Sequence, residues 1–146
     1  MTTIITPTDV YDLAFSIEEN YNVSVVKESD IAIAESRYLL PMLGEGLYSK
    51  LINGGYYDLR VNYVAPMLSA WTRYMVEPLL AERCALGHGA VAVDKQVLTR
   101  LKMMAMEQSR RLSRYLDEHS DEYPEYNPVD NPLNHCSIDG NIVQIY

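Results

Sequence analysis

The chain has 146 residues, 48% of them hydrophobic, and its twenty acidic residues outweigh twelve lysines and arginines to give a formal net charge of −8. That length favours one domain, that apolar share excludes a wholly disordered chain, and that charge argues against free DNA or RNA as the main partner, because phosphates call for a cationic surface. No apolar run approaches the ~20 residues of a membrane-spanning helix, MTTIITPTDV lacks the basic-then-apolar pattern of a leader, and Cys84 and Cys136 show no paired spacing, so an intracellular, soluble, reduced protein is expected.

The opening TTII is short and β-branched and reads as an edge strand or an ordered arm. TPTDVYDLAFSIEEN predicts the first helix, with Thr6 as its cap, Pro7 at its first position and Asp9 in its first turn. Val10, Leu13, Ala14 and Ile17 recur there at helical spacing, and NYNVSVV breaks the pattern. The second helix starts at Ser29, with Asp30 as the other candidate. It carries Ile31, Ala34, Tyr38 and Met42 on one stripe, broadened by Ile33, Leu39 and Leu40.

Pro41 lacks the N–H that would continue this helix cleanly, and Gly44 accepts a positive φ. EGLYSKLI then makes a short helix that Asn53-Gly54-Gly55 stops. The stretch therefore predicts a helical corner, with Leu43, Leu47 and Leu51 carrying an apolar edge around the bend. It lacks the glycine spacing and Gly-Lys-Ser/Thr ending of a phosphate-binding loop.

NYVAPMLSAWTRYMVEPLLAERCALGHGA is the longest apolar-rich helix, with Val64, Met67, Leu68, Trp71, Met75 and Leu79 in register. Pro66 marks its first turn, Pro78 kinks or splits it, and Gly87 and Gly89 stop it. The last helix is capped by Asp94 and carries Val97, Leu101, Met104, Ala105, Gln108, Leu112 and Tyr115 or Leu116. Pro124 ends that pattern, and the helix is expected to pack along the one before it. In the tail NPVDNPLNHCSIDGNIVQIY, Asp139-Gly140 signals a hairpin. Arms that short are not stable alone, so the tail reads as an extension pairing with TTII or with a neighbouring subunit. The expected fold is all-α, a compact bundle of four to five helices with short extended arms. The helical domain is residues 1–127 and the C-terminal arm residues 128–146.

Charge is segregated along the chain. Residues 1–30 hold Asp9, Asp12, Glu18, Glu19, Glu28 and Asp30 against Lys27. The last helix holds Lys95, Arg100, Lys102, Arg110, Arg111 and Arg114 against Glu107, and the acids 117, 118, 121, 122 and 125 follow. Arg110, Arg111 and Arg114 sit near the negative end of that helix. This reads as a solvated face with local ion pairs, as a basic side meeting the acidic side of another copy, or as a nucleic-acid surface. Unlike faces joined head to tail close into rings when the rotation permits. Twelve tyrosines beside one Trp and one Phe read either as a half-wet interface or as compositional drift.

The chain's histidines, His88, His119 and His135, with Cys84 and Cys136, lack the paired spacing of a zinc site. Glu18-Glu19 and Asp117-Glu118 are adjacent and so diverge on a helix. No GxSxG elbow is present. Cys84 reads as a small buried apolar residue, LKMMAME as core or adaptable interface, and Trp71 as core. No catalytic, cofactor or metal residue is assigned.

SDIAIAESRYLLPMLGEGLYSKL, then YVAPMLSAWTRYMVEPLLAERCALGHGAV, then RRLSRYLDEHSDEYPEYN, over residues 29–127, resembles the head–tail connector, or adaptor, proteins of tailed phages and prophages. The shared motifs are packing motifs. The resemblance implies an all-α structural protein with no catalytic residues or cofactor, forming a homo-oligomeric ring beneath the portal. Portal and tail proteins would be its partners, DNA in transit would touch it non-specifically, and it would reside in the host cytoplasm and then the virion. C-terminal arms of such proteins often engage the neighbouring ring. The strong acidity of this chain departs from the pattern, although an acidic lumen would let DNA slide without sticking. Candidate protein-contact residues are Arg110, Arg111 and Arg114 on the last helix, and Ile142, Val143, Ile145 and Tyr146 in the tail. The alternative is a small helical adaptor or regulatory protein that binds its partner through the Met/Tyr-rich helical face.

Overall fold

The computed structural model describes residues 2–16, 19, 21–83, 94–139 and 142–145, with the backbone alone at 136–139 and 142–145. The chain is an all-α bundle in which α5 (Ala65–Val76) lies at the centre, packed against by α1 (Pro7–Ala14), α2 (Glu28–Ala34) and α7 (Lys95–Glu118).

The start of α1 follows the expected logic. Thr6 Oγ1 accepts the Asp9 N–H at 3.2 Å, and the Asp9 carboxylate accepts the Thr6 N–H at 2.9 Å, so two unsatisfied donors are paired reciprocally. The helix stops earlier than its spacing predicts, because Phe15 has already turned extended; Ile17 lies outside the described residues. Residues 2–5 form the ordered arm rather than a strand. Ile4 and Ile5 are buried, and the Ile4 N–H donates to Glu35 Oε2 at 2.6 Å.

α2 begins at Glu28, one residue before the expected start. Asp30, the other expected start, is its third residue and accepts the Lys27 N–H at 2.8 Å. The rod then widens into a π-helical turn, Glu35–Leu39, in which the Leu40 N–H reaches back to the Glu35 carbonyl. α3 (Leu40–Ile52) follows with Pro41 in its first turn. An α-helical path would set the proline ring against the carbonyl four residues back. The wider turn shifts the ladder by one residue and carries the rod through Pro41. The corner comes three residues later, at Gly44, whose φ of 79° and ψ of 162° interrupt α3. That backbone region is essentially reserved for glycine. Leu43, Leu47 and Leu51 are all buried around the bend, as the spacing predicts. Gly54, at φ 90°, closes α3. Its N–H bonds to Leu51 O at 3.1 Å and that of Gly55 to Lys50 O at 2.8 Å, the paired closure of a Schellman motif.

The same device recurs. α4 (Tyr57–Leu59) runs into a second π turn, Arg60–Val64, and then into α5 with Pro66 in its first turn. Tyr38-Leu39-Leu40-Pro41 and Tyr63-Val64-Ala65-Pro66 thus occupy equivalent places. Pro66 sits in the first turn of α5 as expected, while the rod itself starts earlier, at Tyr57. At Pro78 the rod tightens into a 3-10 turn, Glu77–Leu79, before α6 (Leu80–Arg83). Gly87 and Gly89 lie outside the described residues.

Asp94 caps α7, its Oδ1 accepting the Gln96 N–H at 2.9 Å. The helix packs along α5. Its buried seam is Ala105, Ser109, Leu112, Ser113 and Leu116. Leu101 is only half-buried and Met104 is 56% exposed, so the expected stripe is rotated and shortened at its N-terminal end. Of the stretch expected as an arm, 128–135 is tied to the body: Asn131 is fully buried, and its Nδ2 donates to Ser113 Oγ and to the Tyr126 hydroxyl, both at 2.8 Å. β1 (Cys136–Asp139) then pairs antiparallel with β2 (Ile142–Ile145), Cys136 opposite Ile145 and Asp139 opposite Ile142. Among the described residues, β1 therefore pairs with the chain's own end and not with TTII; Gly140 lies outside them.

Candidate functional site

A groove of about 390 Å³ opens where four parts of the chain meet. The first π turn and the start of α3 supply Arg37, Tyr38, Pro41 and Met42. α5 supplies Trp71, α7 supplies Lys102, Met106, Ser109 and Arg110, and the tail supplies Asn131, Pro132 and Leu133. The π turn that accommodates Pro41 is also what presents Arg37 and Tyr38. Tyr38 stacks on Trp71 with ring centroids 3.7 Å apart and planes 8° from parallel. The Trp71 N–H donates to Ser109 Oγ at 2.7 Å. Ser109, Trp71 and Asn131 thus satisfy their polar groups within the molecule, and the walls offer chiefly apolar contact.

The rim has one sign of charge. Arg37, Lys102 and Arg110 are exposed at it, and no carboxylate lines it among the described residues. Among the described residues none of the three makes an ion pair, in contrast to Arg73 and Arg83. Arg83 is held by Asp30 at 2.5 Å, and Arg73 by Glu19 at 2.5 Å and Glu77 at 2.7 Å, its guanidinium 4.0 Å from the centre of the Phe15 ring. Burial alone would raise the Glu19 carboxyl, but Arg73 and the Ser16 N–H outweigh it and hold the group below the ordinary range.

Of the arginines expected as contacts, Arg110 lies on the rim. Arg111 turns away to tie α7 to the second π turn, donating to the Asn62 carbonyl at 2.8 Å with its guanidinium 4.3 Å from the centre of the Tyr63 ring. Arg114 is exposed outside the groove. Ile142, Val143 and Ile145 lie on β2, and Tyr146 lies outside the described residues. The sequence reading missed Arg37 as a site residue and took Trp71 for core alone. The signal available was the run Arg37-Tyr38 directly before Leu-Leu-Pro.

The tyrosines largely bind their own chain. Tyr48 donates to Glu35 at 2.7 Å and Tyr56 to Glu125 at 2.6 Å, and Tyr126 donates to Asp117. Burial and these carboxylates push the Tyr48 and Tyr126 hydroxyls up to about 12. Tyr63 stacks on Tyr115 at 4.0 Å. Tyr56 holds an unusual φ of 51°, kept in place by its Glu125 bond and an edge-on Tyr123 ring.

His119 Nδ1 lies 2.9 Å from the Tyr115 carbonyl and His135 Nε2 lies 2.6 Å from that of Val129; Cys84 and His88 are outside the described residues. Among the described residues no three His, Cys, Asp or Glu side chains gather as metal ligands. No described helix is long and apolar enough to cross a membrane.

A second apolar surface lies on the far side of α7. Leu13 is 54% exposed, Met103 64% and Met104 56%. Leu13 and Met104 border a shallow cleft with Pro66, Ala70 and Leu101. Among the described residues the fold is all-α, and both the groove and the cleft open to the surface. No family model, curated protein or solved structure matches the chain.

Proposed function

We propose that the chain is a structural assembly protein of the head–tail connector kind, a ring subunit at the portal of a tailed phage through which DNA passes. The observation that carries this reading is the groove: apolar walls with a rim of three cations lacking described ion-pair partners, in a chain of net charge −8. Exposed apolar walls favour being covered, and a one-signed rim favours a partner of the opposite sign and sets its orientation. The acidity of the remaining surface suits a channel wall that repels phosphates. The subunits act by packing, with portal and tail proteins as neighbours, first in the host cytoplasm and then in the virion.

Mixing the protein with its cognate portal and imaging the product by electron microscopy tests the reading. The expected result is a ring seated on the portal. Absence of any complex at concentrations where the portal is intact counts against it. A second reading rests on Met103 and Met104, whose exposed flexible side chains suit an adaptable protein contact. A small adaptor or regulatory protein would give a one-to-one complex with a soluble partner and no ring.

A further inference from the structure

We propose that the groove receives α1 of a second copy of this chain, with Leu13 as the anchor and Asp12 facing the cationic rim. The inference rests on the assembly reading above and names the two surfaces that meet.

The first argument is placement on α7. Lys102, Met106 and Arg110 border the groove, whereas Leu101, Met104 and Gln108 border the cleft beside Leu13. At 3.6 residues per turn these two sets fall on opposite flanks of one helix, separated by the buried Ala105 and Leu112. One molecule cannot bring its own two flanks together. Joined between molecules, such surfaces make a head-to-tail contact, which repeats from subunit to subunit.

The second argument is charge. Residues 1–26 contain Asp9, Asp12, Glu18 and Glu19 and no lysine or arginine. Glu19 is held by Arg73 and Asp9 by the Thr6 N–H, while Asp12 is exposed beside Leu13. An exposed leucine next to an exposed carboxylate, on a segment without cations, is the complement of an apolar groove with a cation-only rim.

Sedimentation velocity over a rising concentration series tests this, with the emission of Trp71 as a second readout. The chain has one tryptophan, and it stands in the groove wall. The wild-type chain is expected to self-associate, with Trp71 emission shifting in step. Leu13→Gln, Asp12→Lys and Arg110→Glu each weaken association tenfold or more. The double variant Asp12→Lys with Arg110→Glu regains most of it. All three positions are exposed on helices, and circular dichroism checks that each variant keeps its helix content. A wild-type chain that stays monomeric throughout overturns the proposal, as does a double variant no better than the singles. Decanoate that shifts Trp71 emission in a chain that does not self-associate assigns the groove to a small amphiphilic anion instead. Rings on the portal with an inert charge swap leave the connector reading standing and sink this pairing; a rescued swap with no portal complex does the reverse.

Discussion

Glu35 ties the N-terminal arm to the first π turn and to α3. It is 1% exposed, sits in the first π turn, and accepts the Ile4 N–H at 2.6 Å and the Tyr48 hydroxyl at 2.7 Å. No lysine or arginine forms an ion pair with it among the described residues. Burial, with a smaller push from Glu28, raises its carboxyl above the ordinary glutamate range. A raised native pKa means that the folded chain holds the proton more tightly than the unfolded chain does. Its contribution to stability is therefore fully present below the unfolded value near 4.5 and is lost as pH climbs through the raised native value. Glu35→Gln removes that titration and keeps an acceptor for Ile4. Urea melts from pH 4 upward should show the variant gaining on the wild type across that window and then holding a constant lead. A difference that stays flat with pH would mean that Glu35 is not a source of the chain's pH dependence.

At the level of elements, what was legible was what is local. The Thr6-Pro7-Asp9 start, the Asp94 cap and the Asn53-Gly54-Gly55 stop use partners within a few residues, so the residue order displays them. The π turns were not legible, because a one-residue widening leaves apolar spacing nearly unchanged while Pro41 and Pro66 signal a break. The first carries the rod through Pro41, so that the bend falls at Gly44 alone. The second carries the rod's start from the expected Asn62 back to Tyr57. The stripe on α7 failed for another reason: periodicity gives the angle of a face but not how far the neighbour extends along it. Leu112 is fully buried, whereas Leu101 is only partly covered. Leu112→Ala should accordingly cost about 2–5 kcal/mol of unfolding free energy in denaturant melts, and Leu101→Ala clearly less. Equal losses would mean that α7 is seated along its whole length. The groove escaped the sequence reading because Arg37, Trp71, Lys102 and Asn131 come from four separate segments, and no spacing rule links them.

For the whole molecule, the tail divides into a docked part and a hairpin. Asn131 bonds into α7 and to Tyr126, while β1 and β2 pair with each other. Deleting residues 136–146 should leave the thermal midpoint of the helical body unchanged. Asn131→Ala should lower it, corresponding to about 1–3 kcal/mol for the polar partners left unpaired. Calorimetry on both variants checks the division, and a truncated chain that no longer melts cooperatively would place the hairpin in the core. The fold class was legible at this scale because apolar residues recur with helical period through most of the chain. The self-paired tail was only half legible, since Asp139-Gly140 announces a hairpin but nothing local says whether it also joins another strand.

The recurrence of a wide turn before each of two prolines sets a rule for length variation in this chain. A π turn holds one residue more than the narrower spiral would need over the same span. Removing one residue there would narrow the turn over the same span and set the proline ring against the carbonyl four residues back. Single-residue gaps at these two places are thus far more disruptive than their size suggests, and natural variants of this chain should keep the count fixed there even where the residue types drift.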